Sequence, residues 1–191
     1  MVKKKKVLLG VTGSIAAFKS AALTSRLVKK GCQVKVVMTE EATHFVTPLT
    51  FQTLSGNPVY LKMFGENITP GNLITPEIEH ISLAEWPDII LVCPATANII
   101  SKVACGLADD LLSTTILTTR KPVVFVPAMN AGMWQNPILR KRVQELEDLG
   151  YKFIGPVKGR LACRKEGVGR MVEVETVVKE LTRTFCHPER M

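Results

Sequence analysis

Apolar residues come in short runs separated by stretches of helical spacing. Val7-Leu-Leu-Gly-Val-Thr12 runs into Gly13-Ser14 and predicts a strand. Residues 15–30 carry helical spacing, with Ala16, Leu23 and Leu27 on or near one face and Gly31 closing the helix. Val34-Lys-Val-Val-Met38 predicts the next strand. Thr39-Glu-Glu-Ala-Thr43 opens a helical turn, with acids where a helix N-terminus favours them. Thr47-Pro48 caps a further helix that ends at Gly56. Residues 61–79, with Gly65, Pro70, Gly71 and Pro76, read as a loop long enough to suspect function. His80-Ile-Ser-Leu83 follows, and then the continuous apolar strand Asp88-Ile-Ile-Leu-Val-Cys93. Pro94-Ala95-Thr96 turns into a helix reaching about Ala104, and residues 109–119 form another. Pro122-Val-Val-Phe-Val126 is again fully apolar, with a loop, Pro127 to Trp134, at its end. Residues 137–149 predict a helix closed by Gly150, residues 152–154 a short last strand, residues 155–171 a glycine-rich loop, and residues 173–185 the final helix.

Apolar strands alternating with helices imply an α/β domain whose parallel sheet is covered on both faces. Such sheets bind ligands beyond the carboxyl ends of their strands. Four segments lie at those ends: Gly13-Ser14, Thr39-Glu40, Pro94 to Asn98, and Pro127 to Asn130. One shared crevice is the expectation.

Composition narrows the class. A chain of 191 residues fits one domain, so residues 1–191 are expected to fold as a unit. Five cysteines, odd in number and widely spaced without a CxxC, argue against a disulfide framework and a metal site, and fit reduced thiols in a cytoplasmic protein. Cys93 and Cys105 lie in apolar runs and read as core. Lys3 to Lys6 precede only three apolar residues before Gly10, too few for a secretion signal. No apolar stretch approaches the ~18 residues of a membrane span. The net charge is +8, but the lysines outside the N-terminal tail are interspersed with acids, and two Trp and two Tyr offer little to stack on bases. Nucleic acid is not an expected partner; a phosphorylated small molecule would use some of the same charge.

Five places can carry chemistry. Gly10-Val-Thr-Gly13-Ser14-Ile15-Ala16 is not the dinucleotide pattern, because its second glycine comes one residue late. A backbone turn at a helix start still binds phosphate through free N–H groups and the helix dipole, and Ser14 adds a hydroxyl. Thr39, with Glu40 beyond, stands where a dinucleotide site needs an acid for its ribose, which favours a mononucleotide. A tight turn with no ligand is the alternative. Pro94-Ala-Thr-Ala-Asn98 is either an ordinary capped helix or a place where small side chains admit a flat ring and Asn98 bonds its edge. Pro127-Ala-Met-Asn-Ala-Gly-Met-Trp134 puts Asn130, Met133 and Trp134 into a loop that gains little from them unless it covers something. His80 alone reads as a structural histidine, and His44 and His187 more so. Cys163, among glycines, arginines and Lys165, is an exposed thiol on a flap or a bystander in a loop.

Together these segments resemble the flavin-dependent cysteine decarboxylases, a family that includes the phosphopantothenoylcysteine decarboxylases, the Hal3-like proteins and the lantibiotic peptidyl-cysteine decarboxylases. The resemblance covers roughly residues 5–181. Gly13-Ser14-Ile15 matches the family's phosphate turn, and Pro94-Ala-Thr-Ala-Asn-Ile99 its PASANT motif, with Thr96 for Ser and Ile99 for the last Thr. Pro127 to Trp134 matches PxMNxxMW in full, and His80-Ile-Ser-Leu83 matches the segment opened by the family's catalytic histidine. Leu161-Ala162-Cys163 looks like the cysteine flap of the phosphopantothenoylcysteine decarboxylase branch, with Arg164 where glycine is usual.

The resemblance implies a single-domain, Rossmann-like (flavodoxin-like) fold that binds FMN through Gly13, Ser14, Ile15, Thr39, Glu40, Thr96, Ala97, Asn98, Ile99 and Ala128. It implies that the substrate thiol is oxidised first, that the thioaldehyde then loses carbon dioxide, and that the enethiol is reduced again. His80 is the implied base of the oxidation and Cys163 the proton donor of the second half. Asn130 and Met133 are the implied substrate contacts. Arg160, Arg164 and Lys165 are all candidates for a substrate phosphate. The implied assembly is a homotrimer or a multiple such as a dodecamer, with the flavin site between subunits. In bifunctional bacterial relatives a phosphopantothenate–cysteine ligase follows the decarboxylase; its place here is another polypeptide, or the chain is an excised domain. A peptidyl-cysteine decarboxylase, which stops at the enethiol, a flavin prenyltransferase, and a non-catalytic Hal3-like regulator are the competing readings.

Overall fold

A computed structural model describes residues 4–63 and 79–186. The predicted loop therefore lies, except for its ends, outside the described residues, as does His187. Along the chain come β1 (Lys6–Val11), α1 (Ala17–Lys29), β2 (Gln33–Met38), α2 (Glu40–Thr43), α3 (Pro48–Ser55), β3 (Val59–Tyr60), α4 (Glu79–Glu85), β4 (Ile89–Ala95), α5 (Ala97–Ala104) and α6 (Leu111–Thr118). They are followed by β5 (Val123–Pro127), α7 (Ala131–Gln135), α8 (Pro137–Asp148), β6 (Lys152–Phe153), β7 (Val157–Arg160), β8 (Glu166–Arg170) and α9 (Val174–Cys186).

Six strands pair in parallel in the order β3-β2-β1-β4-β5-β6, the doubly wound Rossmann order. Side chains alternate across the sheet, so each central strand feeds two cores. Val7, Leu9, Ile89 and Leu91 pack under α1, α3 and α9 with Leu23, Phe51 and Val177. Leu8, Ile90, Val92 and Phe125 pack under α5, α6 and α8 with Ile100, Leu112 and Val143. Burial on both faces is why these strands read as continuous apolar runs. Gly10 is bare because α6 lies close above it: a Cβ there would sit 2.6 Å from a Leu112 methyl. No helix among the described residues is long and apolar enough to cross a membrane.

Three expectations change. Residues 155–171 are not a loop: β7 and β8 form an antiparallel hairpin with Arg160 opposite Glu166. Residues 131–135 of the supposed loop after β5 form the short helix α7, N-capped by the Asn130 side chain, which accepts the Gly132 N–H at 2.8 Å. Cys105 is not core; it caps the C-terminal end of α5 and is exposed. Cys93 is core, and burial pushes its thiol up to about 12.

Candidate active site

The strand order reverses between β1 and β4, and a cleft opens at their carboxyl ends. Thr12, buried directly after β1, ties the two ends together. Its hydroxyl donates to the Pro94 carbonyl at 2.7 Å and accepts the Thr96 N–H at 3.2 Å. Thr96 in turn caps α5 by accepting the Ile99 N–H. All four strand-end segments meet here. Gly13, Ser14, Thr39, Thr96, Ala97, Asn98, Ile99 and Ala128 line a cleft of about 390 Å³. Gly13 lets α2 close on the turn, since a Cβ there would run into Glu41.

The cleft has features of a polar ligand site. The first turn of α1 holds no acidic residue, so the positive end of its dipole is left for an anion at the Gly13-Ser14 turn. Thr39 Oγ1, on the lining, is buried with no partner among the described residues. A buried hydroxyl in that state is available to a bound ligand. Asp110 closes the far wall. It caps α6 by accepting the Ser113 N–H at 2.8 Å and meets Lys102 Nζ at 2.8 Å; Asp109 meets the same ammonium. Burial alone would raise the Asp110 carboxyl, but the Lys102 and Ser113 bonds outweigh it and hold the group below the usual carboxylate range.

A second chamber, about 710 Å³, lies between the start of α1 and the hairpin. It shares Ser14, Ala128 and Met129 with the first cleft, so those residues form a common wall. Asn130 Nδ2 stands 3.9 Å from Cys163 Sγ. The α7 cap engages Asn130 Oδ1, so the amide presents its NH₂ toward the cysteine. The hairpin is docked on this wall, with Met129 N–H donating to the Gly169 carbonyl at 2.9 Å. Gly167 and Gly169 permit the approach: a Cβ on the first would strike Ala131, and on the second the Met129 carbonyl. At the hairpin tip Arg164 takes the left-handed conformation, φ 64°, that a glycine would adopt at no cost.

Of the residues singled out in the sequence, most of the cofactor set lines the first cleft, while Ile15 lines the second chamber with Asn130 and Cys163. Met133 lines the first cleft and not the chamber of Asn130. Glu40 is outside both, and its neighbour Glu41 lines the cleft instead. Arg160 lines the second chamber; Arg164 and Lys165 do not. His80, on α4, lines neither chamber, and its Nδ1 is buried without a partner among the described residues. Sequence reasoning missed Thr12, Glu41 and Asp110 in the first cleft and Phe18, Lys19 and Arg170 in the second. Asp110 carried a signal, since an aspartate ahead of a predicted helix is a cap. Lys19 and Arg170 carried none, being brought together from opposite ends of the chain.

A Rossmann-order sheet with an anion-receptive turn and a mononucleotide-sized cleft at its switch point is the frame of a nucleotide-binding flavoprotein. The chain belongs to the Flavoprotein family, which it matches over residues 1–186. It is 47% identical, over 97% of its length, to the coenzyme A biosynthesis bifunctional protein CoaBC of Bacillus subtilis, of which it spans 44%. The chain thus spans less than half the length of that relative. Among solved structures it is similar to a cysteine-to-serine variant of a PPC decarboxylase complexed with pantothenoylaminoethenethiol, at 33% identity and TM-score 0.82, covering 97% of this chain and 100% of that one. It is also similar to the FMN binding protein AtHal3, at 33% identity and TM-score 0.80, covering 98% of this chain and 99% of the other.

Proposed function

We propose that residues 1–191 act as one flavoprotein domain that binds FMN and decarboxylates 4'-phosphopantothenoylcysteine to 4'-phosphopantetheine for coenzyme A synthesis. The observation that carries this reading is the pair of chambers with one common wall. One has the lining of a mononucleotide site, and the other holds Asn130 and Cys163 together. The PPC decarboxylase and CoaBC likenesses support the substrate.

The first cleft fits FMN by its own chemistry. The Gly13-Ser14 turn and the α1 dipole suit the phosphate, the orphan Thr39 hydroxyl and Glu41 suit the ribityl hydroxyls, and Thr96 to Ile99 with Ala128 and Met133 leave room for a flat ring. Bound there, FMN supplies a two-electron acceptor for the substrate thiol and a donor for the later reduction. Asn130 donates from its amide to the substrate carboxylate or amide carbonyl and fixes the cysteine end. Cys163 gives a proton to the enethiol carbon from the thiol 3.9 Å from that amide. The hairpin and Phe18 form apolar walls of the chamber.

His80 is the base that takes the thiol proton, and it reaches the site from a second copy of the chain. Its place outside the lining of both chambers of its own chain supports this, as does the exposed apolar surface of Ile15, Phe18, Phe45 and Leu49 available for a neighbour. The assembly is a trimer or a multiple of trimers, in the cytoplasm, where Cys32, Cys93, Cys105 and Cys163 stay free. The ligase activity resides on a separate polypeptide or a following segment. The test is direct. FMN-loaded protein mixed with 4'-phosphopantothenoylcysteine is expected to release carbon dioxide and 4'-phosphopantetheine, detected by mass. A protein that stays flavin-free in excess FMN, or holds FMN without turning the compound over, overturns the reading.

A further inference from the structure

The second chamber carries more charge than its reacting end requires. Among its described lining residues are three cations, Lys19, Arg160 and Arg170, and no carboxylate. Lys19 and Arg170 converge on a single acid: Glu173 Oε2 lies 3.1 Å from Lys19 Nζ, and Glu173 Oε1 meets Arg170 Nη2. One carboxylate cannot neutralise both. Arg160 makes no ion pair among the described residues, so two positive charges in the chamber wall remain uncompensated. A phosphate monoester carries about −1.5 to −2 at neutral pH, which matches that excess.

Packing as well as charge sets the positions of Lys19 and Arg170, while Arg160 stands exposed on β7. Lys19 is mostly buried, with 17% of its side chain exposed, against the mouth of α1. Arg170 lies across the backbone of Gly159 on the neighbouring strand, where a Cβ would stand 2.9 Å from Arg170 Cδ. Glu173 therefore acts as a brace that holds an ammonium and a guanidinium side by side before any ligand arrives. Guanidinium groups match phosphate oxygens with paired N–H donors, which a lysine cannot do.

We propose that Lys19, Arg160 and Arg170, braced by Glu173, form a phosphate-recognition subsite that makes the enzyme selective for a phosphorylated pantothenoyl substrate over its non-phosphorylated counterpart and over peptides ending in cysteine. The inference rests on the decarboxylase reading and assigns the specificity of the same site. Arg164 and Lys165, equally basic in sequence, have no part in it because they stand outside the chamber.

The test uses FMN-loaded wild-type protein and the variants Arg160→Gln, Arg160→Lys and Lys19→Gln, each checked for retained flavin absorbance. kcat/KM is measured on 4'-phosphopantothenoylcysteine and on pantothenoylcysteine, and inorganic phosphate is titrated as a competitor. Wild type is expected to prefer the phosphorylated compound. Arg160→Gln and Lys19→Gln are each expected to reduce the ratio of the two kcat/KM values about ten- to a hundredfold, the effect of one lost charge-assisted hydrogen bond. The loss should fall in KM rather than kcat, and phosphate should compete less well. Arg160→Lys should keep part of the preference. Variants that lower both substrates equally, or a wild type that does not discriminate, overturn the subsite while leaving the decarboxylase reading standing. A wild type that turns over neither compound overturns the decarboxylase reading itself.

Discussion

Asn130 has two jobs that one substitution can separate. Its Oδ1 caps α7 and its Nδ2 faces Cys163. Asn130→Asp keeps a capping acceptor but replaces the donor with a negative charge, so the thermal midpoint should hold while decarboxylation falls by two orders of magnitude or more; the two are read by calorimetry and product mass. Cys163→Ser should still release carbon dioxide, because the thiol is assigned only to the second half. The enethiol, two mass units lighter than the saturated product, should accumulate, since losing one proton-transfer group costs about a hundredfold to ten-thousandfold in its own step. Normal product at the wild-type rate would make the cysteine a bystander. Arg164 sits in the left-handed region at the hairpin tip, so Arg164→Gly should raise stability by roughly 0.5–1 kcal/mol in chemical denaturation. Asn130, Met133 and Cys163 were legible as cleft-lining residues because their types are poor choices for a loop with nothing to cover. Their allocation between chambers was not. Met133 and Ile15 each line the chamber other than the one their assigned role implied, since one helical turn decides which wall a side chain faces.

Among the elements, β1, β2, β4 and β5 were legible because strands buried on both faces leave continuous apolar runs, and α1, α5 and α8 because caps and closing glycines mark their ends. The hairpin of β7 and β8 was not, because its three glycines imitate a loop. Gly159, Gly167 and Gly169 serve close approach, to Arg170, Ala131 and Met129 respectively. Gly169→Val should therefore undock the hairpin from the common wall, abolishing reduction of the enethiol while flavin binding persists, as fluorescence titration with FMN would report. The α6 cap makes a prediction about pH. Asp110 has its folded value held below its unfolded one, so its contribution is present above the unfolded value and lost as pH falls through the folded one. Asp110→Asn should therefore flatten stability against pH below about pH 4. Asp110→Ala, which removes the cap as well, should cost about 1 kcal/mol at neutral pH.

For the whole molecule, the sequence did not tell that His80 stands outside both chambers of its own chain, since spacing along a chain does not say which wall a residue faces. If His80 serves a neighbour's chambers, His80→Asn and Cys163→Ser subunits should be inactive in complete turnover alone and regain it when refolded together, because some sites then combine an intact histidine with an intact cysteine. No recovery in mixed particles of confirmed composition would place both groups in one chain's site. The common wall has one more implication. Met129 belongs to both chambers and bonds the hairpin strand, so filling the cofactor cleft steadies the beam from which the substrate flap hangs. Arginine and lysine crowd that flap's tip, which makes it a trypsin target that doubles as a gauge of occupancy. Cleavage after Arg164 or Lys165 should slow severalfold when FMN is added. The protein would then carry, in its own protease sensitivity, a readout of whether it is ready to accept substrate.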